Sequence, residues 1–287
     1  MSNQITTQMV SRFKSTLQHL VQQKGSVLRS YVRQELLGDA EDCYFDQIGA
    51  TEAQEKTARH GDSPLIHTPH SRRKVEKRDF EWGDMVDALD LDKVLTDPSS
   101  AYLQSAMWLL GRKMDDVIIE AALGSAKTGK NGNTSVVLPA GQKIAVGASG
   151  LTLAKLLQTK EILDANEVDP DEPRYIAVTA RQVTNLLNTT EVKNADYNSI
   201  KALVQGQINS FLGFNFVRIQ RLTKDVLGDR QVIAWAKEGL LLAVGQDIKG
   251  QIAQRPDKSF ATYAYASLSC GATRMEEKKV VEIACME

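Results

Sequence analysis

The residues closest to a catalytic arrangement are Gly124 to Asn131, GSAKTGKN, which follow the phosphate-binding pattern G-x-x-x-x-G-K-[ST] up to its final position. A hydroxyl should stand there to ligate Mg²⁺, and the chain has Asn131 instead. The pattern also needs a strand before it and a helix after it, whereas this segment follows a long helical stretch and leads into turn-forming residues. A plain Gly/Lys loop is the better reading. His60, His67 and His70 lie close together in HGDSPLIHTPH, and with Asp62 they offer donors that suit a divalent metal. Their spacing matches no metal signature, and Pro64 and Pro69 predict an extended surface loop. The chain contains no G-x-S-x-G, no H-E-x-x-H and no dinucleotide fingerprint. Its fourth histidine, His19, falls in a helical stripe, which leaves little for acid–base catalysis. The neighbouring carboxylates Asp115 and Asp116 read as the exposed face of a long helix. No catalytic residue, cofactor or metal ligand is expected.

Composition narrows the class. With 287 residues, 42% of them hydrophobic and 25% charged, the chain is an ordinary globular one, long enough for about two units at roughly 150 residues each. Lys+Arg 35 against Asp+Glu 36 gives a net charge of −1, so the molecule as a whole has no attraction for a polyanion. Cys43, Cys270 and Cys285 are odd in number and far apart, which points to neither a disulfide framework nor a zinc site and suits a reducing compartment. No secretory signal core and no run near the ~20 apolar residues of a membrane span is visible, so a protein folded in the cytoplasm is expected.

The elements that would carry any site follow from periodicity. Ile5, Met9, Phe13, Leu17, Leu20, Val21, Leu28, Val32 and Leu36 fall mostly three or four apart and predict an amphipathic helix broken near Gly25 and stopped at Gly38. It either packs on its own domain or docks on another subunit. Cys43 to Arg78 has sparse apolar residues and Gly49, Gly61, Pro64 and Pro69, so it reads as a long loop or extended hairpin. Asp97 as cap and Pro98 at the first position open the strongest helix, stopped by Gly124 after about 26 residues, or roughly 39 Å. TSVVLP and KIAVG then suggest a β-hairpin. Thr152 caps a helix through Ala165, RYIAVT is a buried strand, Thr179 caps a helix through Leu187, and a short helix follows near 199–204. VIAWA, LLLAV, SFATYAYASLSCGATR and KKVVEIAC supply strands, the last long ones expected to return to the helix near residue 110.

One charged cluster remains. Arg72, Arg73, Lys74, Lys77 and Arg78 crowd into SRRKVEKR and are followed by Glu81, Asp84, Asp87, Asp90, Asp92 and Asp97, with only Lys93 opposing them. A solvated face, a subunit–subunit contact and a nucleic-acid contact all remain open, although no interleaved aromatics offer a stacking platform.

The order of parts, together with TLAKLLQTKEILDANEVDPDEPRYIAV, FLGFNFVRI and RPDKSFATYAYASLSCGATRMEEKKVVEIAC, resembles the major capsid proteins of tailed bacteriophages, the Hong Kong ninety-seven fold. The resemblance covers nearly the whole chain. It implies an α+β fold with an N-terminal arm at 1–42, an extended E-loop at 43–80, a peripheral domain at 81–149 and 246–287 with a spine helix at 98–123, and an inserted axial domain at 150–245. It further implies pentamers and hexamers closing as an icosahedral head around double-stranded DNA, and a non-enzyme of the virion, assembled in the host cytoplasm. Portal and scaffolding or decoration proteins would be its partners, with no membrane. The five cations from Arg72 to Arg78 would then meet carboxylates of an adjacent subunit, the acidic run 84–97 being one candidate. Two other readings stand beside it: an encapsulin-like nanocompartment shell, and a nucleotide-binding oligomeric enzyme using the 124–131 loop.

Overall fold

The computed structural model describes residues 20–37, 42–57, 59, 63–86, 99–187 and 210–287. The stripe from Ile5 to Leu17, His19, Gly38, His60, Gly61, Asp62, the acids from Asp87 to Asp97, Pro98 and the short helix expected near 199–204 lie outside them. In chain order the elements are a 3₁₀ turn (Arg29–Tyr31), β1 (Arg33–Leu36), β2 (Asp42–Ile48), β3 (His70–Glu76), β4 (Arg78–Val86), α1 (Ser99–Leu123), β5 (Ala126–Thr128), β6 (Thr134–Val136) and β7 (Lys143–Ile144). Then come α2 (Leu153–Ala165), β8 (Arg174–Val178), α3 (Ala180–Leu187), β9 (Ser210–Phe211), β10 (Phe214–Arg218), β11 (Arg230–Ala236), β12 (Leu240–Arg255), β13 (Ala261–Arg274) and β14 (Val280–Cys285).

Three sheets result, with strand orders β1-β12-β13-β4, β7-β14-β11-β8-β10-β9 and β2-β3-β5-β6. The chain divides into two compact units. One comprises 1–26, 79–112 and 246–268, and the other 27–78, 113–245 and 269–287, so α1, β12 and β13 contribute residues to both.

In the larger unit, the middle strands β8, β11 and β14 are buried nearly throughout, as a sheet covered on both faces requires. Helix α2 starts where expected, the Thr152 hydroxyl accepting from the Lys155 N–H. Lys155 itself is buried, and its Nζ donates to the carbonyls of Val146, Ser149 and Ala284 at 2.8, 3.0 and 2.8 Å, which ties the helix start to the closing strand. At the start of α3, Gln182 accepts from the Thr179 N–H at 2.8 Å, the reciprocal half of a capping box. The C-terminal end of α1 is met by the fully buried Arg274, whose guanidinium donates to the carbonyls of Ala122, Gly124 and Val136, a cation where the helix dipole is negative. In the smaller unit, residues 22–26 cross α1 closely. Arg112 donates to Gln22 and to the Gln23 carbonyl, Lys24 sits over the Trp108 ring, and a Cβ on Gly111 would stand 2.6 Å from the Gly25 Cα.

Four expectations are corrected. The helix predicted through Leu36 gives way to a 3₁₀ turn and β1, which pairs in parallel with β12; Leu28 and Val32 are buried, but Leu36 is 85% exposed, which a continuous apolar stripe would not allow. The hairpin expected between TSVVLP and KIAVG forms instead between β5 and β6, while β7 pairs with β14. Strand β14, expected to return to the long helix, lies between β7 and β11. Asp115 is not on an exposed face: it is fully buried and accepts from the backbone N–H groups of Val27 and Leu28, so its carboxylate caps the 3₁₀ turn, while Asp116 pairs with Arg221 at 2.6 Å.

Candidate assembly site at the hairpin base

The basic cluster lies mostly on β3, and strand periodicity divides it. Side chains alternate faces along a strand, so Arg73 and Val75 point one way and Arg72, Lys74 and Glu76 the other. Val75 is buried with Leu37, Leu241, Ala243 and Met275, with Cys43 and Phe45 packed beside them. Arg73 follows it inward: Nε donates to the Met275 carbonyl at 2.9 Å and Nη2 to Glu277 at 2.6 Å. Gln47 on β2 donates to the same carbonyl at 2.8 Å, so both strands of the hairpin are tied to one point of the body. Gly271 comes so near β3 that a Cβ there would stand 2.8 Å from the Val75 Cγ1.

The outward face is an ion-pair ladder. Arg72 stands opposite Asp46 in the antiparallel register and pairs with it at 2.5 Å, lying also over the Tyr44 ring. Lys74 reaches Asp42 at 2.8 Å and Glu76 at 3.2 Å, and Glu76 also receives Lys127 of β5 at 2.6 Å. The hydrogen bond from Arg72 holds Asp46 below its ordinary carboxylate range, and the bond from Lys127 does the same for Glu76. The bond to Asp42 raises Lys74. Arg78, at the start of β4, pairs with Glu120 at 2.9 Å. Lys77 sits between β3 and β4, and among the described residues no carboxylate lies in ion-pair range of it. Four of the five cations therefore have carboxylate partners within their own chain: Asp46, Glu277, Asp42 with Glu76, and Glu120.

Beyond this base the hairpin closes with the Gly49 N–H donating to the Pro69 carbonyl at 2.8 Å. Every described residue from 49 to 69 is exposed, among them Leu65 at 80%, and Ile48 at the end of β2 is 73% exposed. His67 and His70 are exposed here too, and among the described residues no group of three or more His, Cys, Asp or Glu could hold a metal ion.

The segment Gly124 to Asn131 is strand, then turn. Ala126–Thr128 is β5, and Gly129 to Gly132 makes the turn into β6, with both glycines at positive φ and the Gly132 N–H donating to the Gly129 carbonyl. No helix follows the lysine, so the backbone N–H groups that would cradle a phosphate at a helix start are not gathered here.

The capsid of the cyanophage P-SCSP1u superposes with a TM-score of 0.76 at 14% identity, over 99% of this chain and 94% of that one. The capsid of Ralstonia phage GP4 gives 0.75 at 10% identity, over 97% and 95%. The capsid asymmetric unit of cyanophage Pam1 gives 0.73 at 14% identity, over 98% and 97%. The fold is thus that of phage capsid shells, the Hong Kong ninety-seven fold. No curated protein sequence matches the chain. The model of the phage capsid protein family matches residues 5–287, and the chain belongs to that family. It is a major capsid protein of a phage head, and the nanocompartment and nucleotide-binding readings find no support.

Sequence reasoning did not separate Arg73 from its neighbours, although Arg73 and Val75 flanking Lys74 carried the period-two signal. It also missed Arg274 and Lys155 and misplaced Asp115, each of which has a partner far along the chain, 152, 129 and 88 residues away, that leaves no local trace.

Proposed function

We propose that this chain makes like contacts in several environments, assembling as hexamers and pentamers into an icosahedral head that encloses double-stranded DNA without reading its sequence, and that it catalyses no reaction. The observation that carries the reading is the projecting hairpin: residues 49–69 are exposed and carry Leu65 and Ile66, with Ile48 at their root. Such a segment buries no core of its own and gains stability only against another surface. In this reading 43–80 is the E-loop crossing a neighbouring subunit, and 1–42 is an arm. Residues 81–149 and 246–287 form the peripheral domain, and 150–245 the axial domain at the local five- and six-fold axes. The outward cations Arg72, Lys74, Lys77 and Arg78 meet the neighbour, whereas Arg73 holds the hairpin root. Assembly takes place in the host cytoplasm, with portal and scaffolding or decoration proteins as further partners.

The test is sedimentation velocity with negative-stain electron microscopy on the chain and on a variant in which 50–68 is replaced by Gly-Gly between Gly49 and Pro69. The full chain is expected to give shells, tubes or capsomer rings, and the variant a folded small species. Normal shells from the variant would overturn the role given to the hairpin.

A further inference from the structure

The sheet β1-β12-β13-β4 leaves two stretches of edge open in the smaller unit among the described residues. Strand β4 ends the order. On the opposite flank, β1 covers β12 only from Leu241 to Val244, so β12 runs on from Gly245 to Arg255 with a strand on one side alone. Backbone groups identify the outward residues. The Val244 carbonyl accepts from the Leu37 N–H and so faces β1; alternate residues repeat that direction, which brings Gln246 and Ile248 to the open side. The Ile248 N–H is bonded at 2.8 Å by the carboxylate of Asp247, its own neighbour, and not by a strand. Strand β4 repeats the device: the Met85 N–H is bonded at 2.8 Å by the carboxylate of Asp84. Each edge thus holds an N–H donor on a local, exposed carboxylate that another strand's carbonyl can replace.

We propose that the open edge of β12 pairs with the β4 edge of a second copy, extending the sheet from subunit to subunit. The inference rests on the shell reading and names a contact surface within it. Charge favours this head-to-tail match over like edges meeting. Edge β4 carries Asp79, Glu81 and Asp84 against Arg78, a net −2, while the open part of β12 carries Lys249 and Arg255 against Asp247, a net +1, so β4 with β12 joins edges of opposite net charge where β4 with β4, or β12 with β12, would join like ones. A head-to-tail contact generates a ring wherever its rotation closes, the symmetry that a shell has at its local axes.

Met85→Pro and Ile248→Pro each delete an edge-strand N–H that is bonded to the carboxylate of the preceding residue, whereas Met85→Ala and Ile248→Ala retain it. Each Pro variant, with unchanged circular dichroism, is expected to lose about tenfold or more of shell yield while the Ala variants keep theirs. An equimolar mixture of the two Pro variants, each bearing the edge the other lacks, should stop at a one-to-one heterodimer. Should a Pro variant misfold, Met85→Cys combined with Ile248→Cys in a Cys43→Ser background, treated with a short thiol-to-thiol crosslinker, should give a ladder of linked subunits only when both introduced cysteines are present. Full shell yield from both folded Pro variants, dimers linked through either cysteine alone, or shells whose double-cysteine chains link no more than the parent would each overturn edge pairing while leaving the shell reading intact. Failure of the unaltered chain to form any shell, tube or ring sinks the shell reading itself.

Discussion

Arg72 and Arg73 are neighbours in sequence, each with a carboxylate at nearly the same distance, 2.5 Å to Asp46 and 2.6 Å to Glu277. Geometry alone would give them equal weight; burial does not. The side chains of Arg73 and Glu277 are 9% and 15% exposed, those of Arg72 and Asp46 39% and 66%. Solvent screens an exposed pair, so Arg72→Met should leave the stability of the subunit almost unchanged. Removing one partner of a buried pair leaves an uncompensated charge at a cost of roughly 3–5 kcal/mol. Here the Arg274 Nε remains 3.7 Å from Glu277 and the Met275 carbonyl keeps its bond from Gln47, so about 3 kcal/mol is expected for Arg73→Met. The pair is also incompletely hydrogen-bonded, with Arg73 Nη1 and Glu277 Oε1 lacking hydrogen-bond partners, so Arg73→Met with Glu277→Leu should recover part of the Arg73→Met loss and stop short of the parent, because the buried Arg274 then loses its contact with Glu277. Urea denaturation of the unassembled subunit measures this, provided the slope is unchanged and the midpoint carries the difference. Equal costs for the two arginines, or an Arg73→Met loss seen only in assembly, would refute the division of the cluster into an inner anchor and an outer ladder.

Three further outcomes follow from the same coordinates. Asp115→Ala strips the partner from the Val27 and Leu28 N–H groups and should destabilise the subunit by about 3 kcal/mol in the same urea assay, against a surface-like few tenths if the cap is idle. Burial pushes the Cys270 and Cys285 thiols up to about 11, so iodoacetamide at pH 8 should modify Cys43 alone in the native chain, with the other two reacting only in denaturant; early labelling at 270 or 285 would contradict the packing. The hairpin base should be tightest between about pH 5 and 10. Asp46 and Glu76 are lowered, so their contribution is present above the ordinary carboxylate range and fades as pH falls through their depressed values, while Lys74 is raised and its contribution fades only as pH climbs past its raised value. Amide exchange in β2 and β3, corrected for intrinsic rates, checks this, and a flat profile from pH 2 to 7 contradicts it.

Much of the architecture was legible because it is local. The 25-residue α1, α2 with its Thr152 cap, β8, α3 and the strands β11 to β14 each carry their periodicity and end signals within their own residues. What failed was the choice of partners. Leu28, Val32 and Leu36 fall four apart in a 3₁₀ turn and strand as readily as in a helix, and only the exposure of Leu36 distinguishes them. Three-residue strands such as β5 and β6 contain too little pattern to identify their mates, so the hairpin was assigned to the wrong pair. The candidate site was half legible: the five cations stood out by type, but their division by face required reading SRRKVEKR as a strand.

The buried charges share one logic. Arg73, Asp115, Lys155 and Arg274 are each buried, and each is bonded to backbone groups contributed by segments far along the chain, up to 202 residues away between Arg73 and Met275. A charge placed on main-chain donors or acceptors fixes position by direction as well as distance, which apolar packing does not. Three of the four meet a place where backbone pairing ends: the start of the 3₁₀ turn for Asp115, the last carbonyls of α1 for Arg274, and the loop before α2 for Lys155. The fourth, Arg73, pins the root of a hairpin whose far end has no core. These charges arrange themselves around unpaired ends of backbone, where a directional bond fixes what packing alone would leave free.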